Sequence, residues 1–321
     1  MSLLGIDIGG TKILFAAFDS SGSLLVKKTD IVRGAEGKAA AEIILAGAAG
    51  IISEMESLGN PVRAAGISIP GIYRRETGSV WAPNIPGWED YPLEREVEKI
   101  TGNIPLVIDN DRACSILGEF WKGNAQGCSD VVFLAFGTGI GAGIISGGRI
   151  IRGKNDIAGA TGWMALNPAF EDKYTRCGCL EYWGSGDGMA RTAIELMEKD
   201  KGYEGVLATR DRSNITSEVV FSAYDNGDPL AAKTIDICVV YWGMAIANFI
   251  SIFNPEKIIL GGGLFGPASR FIDRIKSEAV KWAQPVSAKT VKIEIASLGS
   301  VAAATGAAYL AHQHLNNVKD V

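Results

Sequence analysis

The sequence predicts an α/β protein, and three observations carry that expectation. Short apolar runs of strand length alternate along the whole chain with longer stretches of helical period. Glycine makes up 40 of the 321 residues, well above the usual share of about 7%. Its clusters directly follow the short runs, where a strand turns sharply, and show neither a collagen period nor a Ser-Gly linker. With 47% apolar residues, a chain of this length is expected to fold as about two domains, each with its own core.

The N-terminal pattern is strand over 3–8, turn at Gly9-Gly10-Thr11-Lys12, strand over 13–18, turn at Asp19-Ser20-Ser21-Gly22, then an extended run over 24–32. An alanine-rich amphipathic helix over 38–57 follows, stopped by Gly59-Asn60-Pro61. A strand over 62–69 breaks at Pro70-Gly71, and a short strand over 106–108 opens at Asp109-Asn110-Asp111 into a helix over 113–121. The second half begins the same way: strand over 131–136, turn at Gly137-Thr138-Gly139, strand over 142–146. After a loop-rich stretch over 167–179, helices are expected over 188–199, 217–225 and 230–253. A buried strand over 257–260, the turn Gly261-Gly262-Gly263, a helix over 267–282, a strand over 291–296 and a helix over 301–314 complete the pattern.

Composition narrows the function. With 31 Lys and Arg against 36 Asp and Glu the net charge is -5, so no general basic surface answers a phosphate backbone, and nucleic acid is not an expected partner. The five cysteines are odd in number and scattered, and MSLLGIDIGG has no basic, apolar leader pattern; a reduced, cytoplasmic protein is expected. The apolar run over 235–253 contains Asp236 and Asn248 and reads as a buried core helix, not a membrane span.

The glycine turns are the functional clue. A turn without Cβ atoms brings backbone N–H groups close to whatever lies above it, and phosphate oxygens fit such donors. In Gly9-Gly10-Thr11-Lys12 a hydroxyl and an ammonium add to them, and Asp7 is placed to orient a hydrated Mg2+; an ordinary hairpin is the alternative. Gly137-Thr138-Gly139-Ile140-Gly141 is spaced like a dinucleotide fingerprint, but a strand follows where that motif needs a helix. The G-x-x-x-x-G-K-[ST] pattern of a P-loop does not occur. Gly261-Gly262-Gly263 is either a tight strand-to-helix connection or a bed for adenine or ribose. Asn110 and Asp111, at a helix start, read on position alone as capping residues.

Taken together, these stretches resemble the actin-like sugar kinases, and within them the ROK family (repressors, open reading frames and kinases). The matching segments are 4–19, Ala82-Pro83-Asn84-Ile85-Pro86-Gly87-Trp88, 108–119, 136–145 and Ile259-Leu260-Gly261-Gly262-Gly263. The resemblance implies two ribonuclease-H-like (actin-like) domains with mixed sheets flanking a central cleft. The expected division is a smaller N-terminal domain over 1–115, with a C-terminal helix at about 305–321 packing back on it, and a larger domain over 116–304. It implies ATP-dependent phosphorylation of a sugar hydroxyl, with Asp111 as general base and Gly71, Asn84, Asn110, Asp111 and Glu181 at the sugar. Gly9, Gly10, Thr11, Lys12, Thr138, Gly139, Gly262 and Gly263 attend ATP, and Asp7 holds Mg2+ through water. A homodimer is expected from the resemblance alone.

The chain departs from the family at one place. Family kinases carry Gly-Glu-x-Gly-His, whose Glu and His contact the sugar and whose His binds zinc; here the segment reads Gly159-Ala160-Thr161-Gly162-Trp163. Of the family's zinc-binding Cys run only Cys179 and the following Glu181 align, and the only histidines, His312 and His314, lie far along the chain. No structural zinc is expected, and Cys177 and Cys179 read as free thiols. Trp163 either fills the volume of the lost imidazole as core or stacks on a sugar face. Without a carboxylate at position 160 the acceptor is expected to be a modified or non-standard ring and not simply glucose. Two other readings remain: a catalytically silent sugar or nucleotide sensor, and a sugar-responsive repressor lacking its DNA-binding domain.

Overall fold

The computed structural model describes residues 1–319; residues 320 and 321, the end of the expected 305–321 helix, lie outside the described residues. The chain divides into two compact units, one of Met1–Cys128, Ile150–Ala158 and Ala296–Val321, the other of Ser129–Arg149 and Gly159–Ile295. A boundary after residue 115 falls inside one helix, Asp111–Lys122, whose hydrogen-bonded ladder belongs to a single body.

In the first unit, strands β1 (Ser2–Ile8), β2 (Lys12–Asp19) and β3 (Leu24–Ile31) form an antiparallel meander, followed by helix α1 (Gly37–Ser57) and strand β4 (Val62–Ile69). A small hairpin of β5 (Ile72–Arg74) and β6 (Ser79–Trp81), helix α2 (Leu93–Thr101), strand β7 (Leu106–Asn110) and helix α3 (Asp111–Lys122) follow. The sheet order is β3-β2-β1-β4-β7, with β4 parallel to both β1 and β7. Successive side chains on β1 and β2 go to opposite faces, as the two-residue strand period requires. Leu4, Ile6, Ile13 and Phe15 join α1 residues Ala40, Ile44 and Ile51 in one apolar cluster. Leu3, Leu14, Ala16 and Phe18 join Ala304, Ala308 and Ala311 in another. The central strands are therefore buried on both faces, which is why they read as continuous apolar runs.

In the second unit, β8 (Val131–Phe136), β9 (Ile140–Ser146) and β10 (Arg149–Ile150) lead to α4 (Cys179–Gly184), α5 (Gly186–Lys199), α6 (Ser217–Asp225) and α7 (Pro229–Phe253). Then come β11 (Lys257–Gly261), α8 (Phe265–Ala268), α9 (Ile272–Trp282), α10 (Ser287–Thr290) and β12 (Lys292–Ile295). The order β10-β9-β8-β11-β12, with β8 antiparallel to β9 and parallel to β11, repeats the plan of the first sheet. Both units thus have the ribonuclease-H-like, actin-like arrangement. Helix α7 starts where Asp228 accepts the Leu230 and Ala231 N–H groups with Pro229 in the first turn, and ends at Asn254 in a left-handed conformation (φ 46°). It is long and apolar enough to cross a membrane, but Trp242, Ile246 and Phe249 lie in the unit's apolar core with Leu134, Phe136 and Leu260. The helix expected over 267–282 is broken: a 3-10 turn, Ser269–Phe271, separates α8 from α9. There Ser269 Oγ donates to the Gly266 carbonyl at 2.7 Å, a local bond that competes with the helical ladder.

The chain then returns to the first unit as α11 (Ala302–Lys319), packed on α3, β1 and β4. Glycines allow this approach: a Cβ on Gly66 falls 1.8 Å from the Ala307 carbonyl oxygen, and one on Gly306 falls 1.7 Å from that of Cys114.

Candidate active site

In the first unit the polar residues gather at the carboxyl ends of the parallel strands β1, β4 and β7, where open α/β sheets bind ligands. The β1–β2 turn is closed by the Gly9 N–H donating to the Lys12 carbonyl at 3.0 Å, and the Thr11 and Lys12 side chains are exposed. A Cβ on Gly10 falls 3.0 Å from the Asn84 carbonyl oxygen, so the turn lies against the Asn84 segment. Asp7, at the end of β1, accepts from Ser68 Oγ of β4 at 2.8 Å. Burial pushes its carboxyl up to about 6; the Ser68 bond opposes this, the charge of Asp111 adds to it, and Lys12 opposes it more weakly. Gly71 sits where a Cβ falls 1.9 Å from the Trp81 carbonyl oxygen, so its place in the fold is a close contact with the β5–β6 hairpin.

Strand β7 delivers Asp109, Asn110 and Asp111 to the same edge. Asn110 Oδ1 accepts the Ala113 N–H at 2.9 Å and caps α3, while its Nδ2 donates to Asp109 Oδ1 at 3.1 Å. The capping role therefore falls on Asn110 alone. Asp111 begins the helix, and its Oδ1 accepts the N–H of its neighbour Arg112 at 2.9 Å. Burial raises its carboxyl above the ordinary carboxylate value, against the pull of the Arg112 guanidinium. Asp109 is 2% exposed and takes two bonds from Arg152, from Nε at 3.1 Å and Nη2 at 2.5 Å. The sequence singled out Asp109 only as part of the strand-end triplet, and nothing in it marked Arg152, 43 residues away.

In the second unit the Gly137 N–H closes the β8–β9 turn on the Gly139 carbonyl at 2.9 Å and leaves Thr138 exposed. Gly262 has φ 87°, and a Cβ there falls 2.3 Å from the Phe136 carbonyl oxygen, which also accepts the Leu264 N–H at 3.0 Å. The late glycine turn and the second hairpin are thus brought together at the end of β8, and Gly263 faces open space. Glu181, in the first turn of α4, accepts the Ile140 N–H at 2.8 Å through Oε2, and burial raises its carboxyl. Gly139 and Gly162 both abut that oxygen, since a Cβ on either falls 2.8 Å from it.

Trp163 is 59% exposed. Of the two roles open to it, packing as core is overturned: Gly178, with φ 81°, closes on the Gly162 and Trp163 main chain at 2.4 Å for an added Cβ, and the indole is left outward. Cys177 and Cys179 are free thiols, and among the described residues no group of three His, Cys, Asp or Glu side chains is arranged to hold a metal ion.

Two ribonuclease-H-like units, each opening its sheet with a glycine hairpin, define a protein of the actin-like class. The chain matches the ROK family over residues 3–314. A glucokinase of Halalkalibacterium halodurans is 32% identical over 320 residues, covering 98% of this chain and 96% of that protein. The ROK family glucokinase of Streptomyces griseus, solved with glucose and AMPPNP, is 29% identical with TM-score 0.79, covering 98% of this chain and 100% of that one. A ROK family transcriptional regulator, a homologue of the E. coli MLC protein, is 26% identical with TM-score 0.83, covering 98% of this chain and 78% of that one. This chain belongs to the ROK family.

Proposed function

We propose that the protein transfers the terminal phosphoryl group of ATP to a hydroxyl of a sugar or sugar-like acceptor, with Asp111 as general base. The protein is an ATP-dependent carbohydrate kinase of the ROK family. The observation that carries the base is the division of labour at the start of α3. Asn110 supplies the side-chain cap, so the Asp111 carboxyl, whose proton affinity burial raises, is not taken up in starting the helix. As the acceptor oxygen bonds to phosphorus, its proton passes to Asp111 and the phosphoryl–ADP bond breaks.

The bare main chain of Gly9 and Gly10, with Thr11 and Lys12, is assigned to the phosphates, as are Thr138 and Gly139; Gly262 and Gly263 are assigned to the nucleoside side of ATP. Asp7, whose proton affinity is raised by burial and by the charge of Asp111, suits a divalent cation, so Asp7 would hold hydrated Mg2+. Mg2+ would supply neutralisation of phosphate charge. Asn84 and Asn110 are assigned to sugar hydroxyls; Asn110 keeps one Nδ2 hydrogen for this, the other being given to Asp109. Glu181 keeps Oε1, its other oxygen holding Ile140.

Ala160 and Trp163 stand where the family's sugar-contacting Glu and His are expected, and favour a glycoside, an N-acyl amino sugar, an uncommon hexose or a cyclitol over glucose. A panel of such acceptors with ATP tests this: a glucose kcat/KM above all others sinks the acceptor reading, and undiminished turnover in Asp111→Asn removes the base. The exposed Trp163 also favours a second reading, a catalytically silent sugar sensor, which predicts no turnover with any acceptor.

A further inference from the structure

The residues on either side of Asn110 and Asp111 are both held by one segment, Ile150–Ala158, which belongs to the first unit although its neighbours in the chain, up to Arg149 and from Gly159, belong to the second. Arg152 grips Asp109 Oδ2 with two donors, and Asp109 Oδ1 in turn accepts the Asn110 N–H at 2.8 Å and the Asn110 Nδ2 at 3.1 Å. On the other side of Asp111, Arg112 Nη2 donates to the Asp156 carbonyl at 3.3 Å. The segment is folded on itself, the Ala158 N–H donating to the Arg152 carbonyl at 3.0 Å, with Asp156 at φ 54°. Arg75 reaches Asp109 only at 3.7 Å, so of the two arginines it is Arg152 that hydrogen-bonds this buried carboxylate.

We propose that Arg152 is a positioning residue for Asp111, acting through Asp109 and Asn110. The proposal rests on the reading of Asp111 as the base. The two Arg152 donors anchor Asp109 Oδ2, which aims Oδ1 at the Asn110 N–H and amide, and the Asn110 amide fixes the first turn of α3 from which Asp111 projects. Arg152 touches neither phosphate nor acceptor in this scheme. Its removal is expected to slow the chemical step without weakening ATP binding, because a base misplaced by about 1 Å costs on the order of 100-fold in rate.

The experiment compares kcat, KM for ATP and melting temperature in Arg152→Ala, Arg152→Lys, the double variant Asp109→Asn/Arg152→Met, and Asp111→Asn. Arg152→Ala is expected to lose about 30-fold or more in kcat with KM for ATP within about 2-fold, and Arg152→Lys to recover part of the loss. The double variant removes both charges, so it avoids the unpaired buried carboxylate that threatens folding, and it is expected to melt near the parent temperature yet remain slow. A crystal structure of the double variant is expected to show the Asp111 carboxylate displaced. Parental kcat in Arg152→Ala or in the double variant, or an unmoved Asp111 carboxylate, overturns the proposal while leaving the base reading intact. Undiminished turnover in Asp111→Asn, or none in the parent with any acceptor, defeats the base reading itself and this proposal with it.

Discussion

Asn110 Oδ1 accepts the Ala113 N–H at 2.9 Å, and this bond decides which of two adjacent polar residues starts helix α3. Asn110→Ala is expected to destabilise the protein by about 1 kcal/mol, the ordinary worth of an N-cap. Asp111→Asn is expected to leave stability unchanged within about 0.5 kcal/mol, or to raise it by removing a buried charge. Denaturant melts of the two variants check the assignment. The reverse order of stabilities would return the cap to Asp111.

Asp7 is a site where stability and chemistry pull apart. Its folded carboxyl holds a proton up to about 6, above the 3.8 of a free aspartate, so the native state binds more protons than the unfolded chain between those values. Stability contributed here is present at low pH and lost as pH rises through that window. Asp7→Asn is expected to raise stability at pH 7 by about 1–2 kcal/mol, while turnover falls. The gain should vanish below pH 4; a gain equal at pH 4 and pH 7 would show that the charge is not its source.

Trp163, 59% exposed, contributes little to the core. Trp163→Ala is expected to change unfolding free energy by less than about 0.5 kcal/mol. If the indole stacks on the acceptor, KM for that acceptor rises about 2- to 10-fold with KM for ATP unmoved. A stability loss of several kcal/mol would put the side chain back in the interior.

The seam under α11 is the place least tolerant of an added methyl. In Gly66→Ala the new carbon meets the Ala307 carbonyl oxygen at 1.8 Å, and a loss of about 3 kcal/mol or more is expected. Gly50→Ala, on α1 with nothing within 4 Å of the new carbon, is the control and is expected to gain about 0.5–1 kcal/mol from helix propensity.

Much of this was legible in the sequence because the signals are local. Both glycine hairpins, the doubly buried central strands and the long core helix α7 follow from runs, turns and caps within a few residues. The β5–β6 hairpin was not legible, since strands of three residues carry no readable period. The break between α8 and α9 depends on a serine hydroxyl that turns back on its own helix. At the candidate site, the strand-end triplet was visible but the sharing of roles within it was not, since capping and catalysis favour the same residue types. Arg152 left no local trace: its partner lies 43 residues back in the chain, and a lone arginine after a strand is usually a solvated one. The sequence leaves the place of Trp163 open, because what closes the space behind it, Gly178, lies 15 residues further on.

Helix α11 has one consequence for biosynthesis. The sheet over which it lies is made before the second unit, and the helix that seals one face of that sheet is made only after the whole of it. Leu3, Leu14 and Phe18 therefore wait with one side uncovered through most of translation. Nascent chains stalled before residue 302 are expected to present that greasy surface to chaperones, whereas the later-made unit has all its own pieces in hand and can mature first.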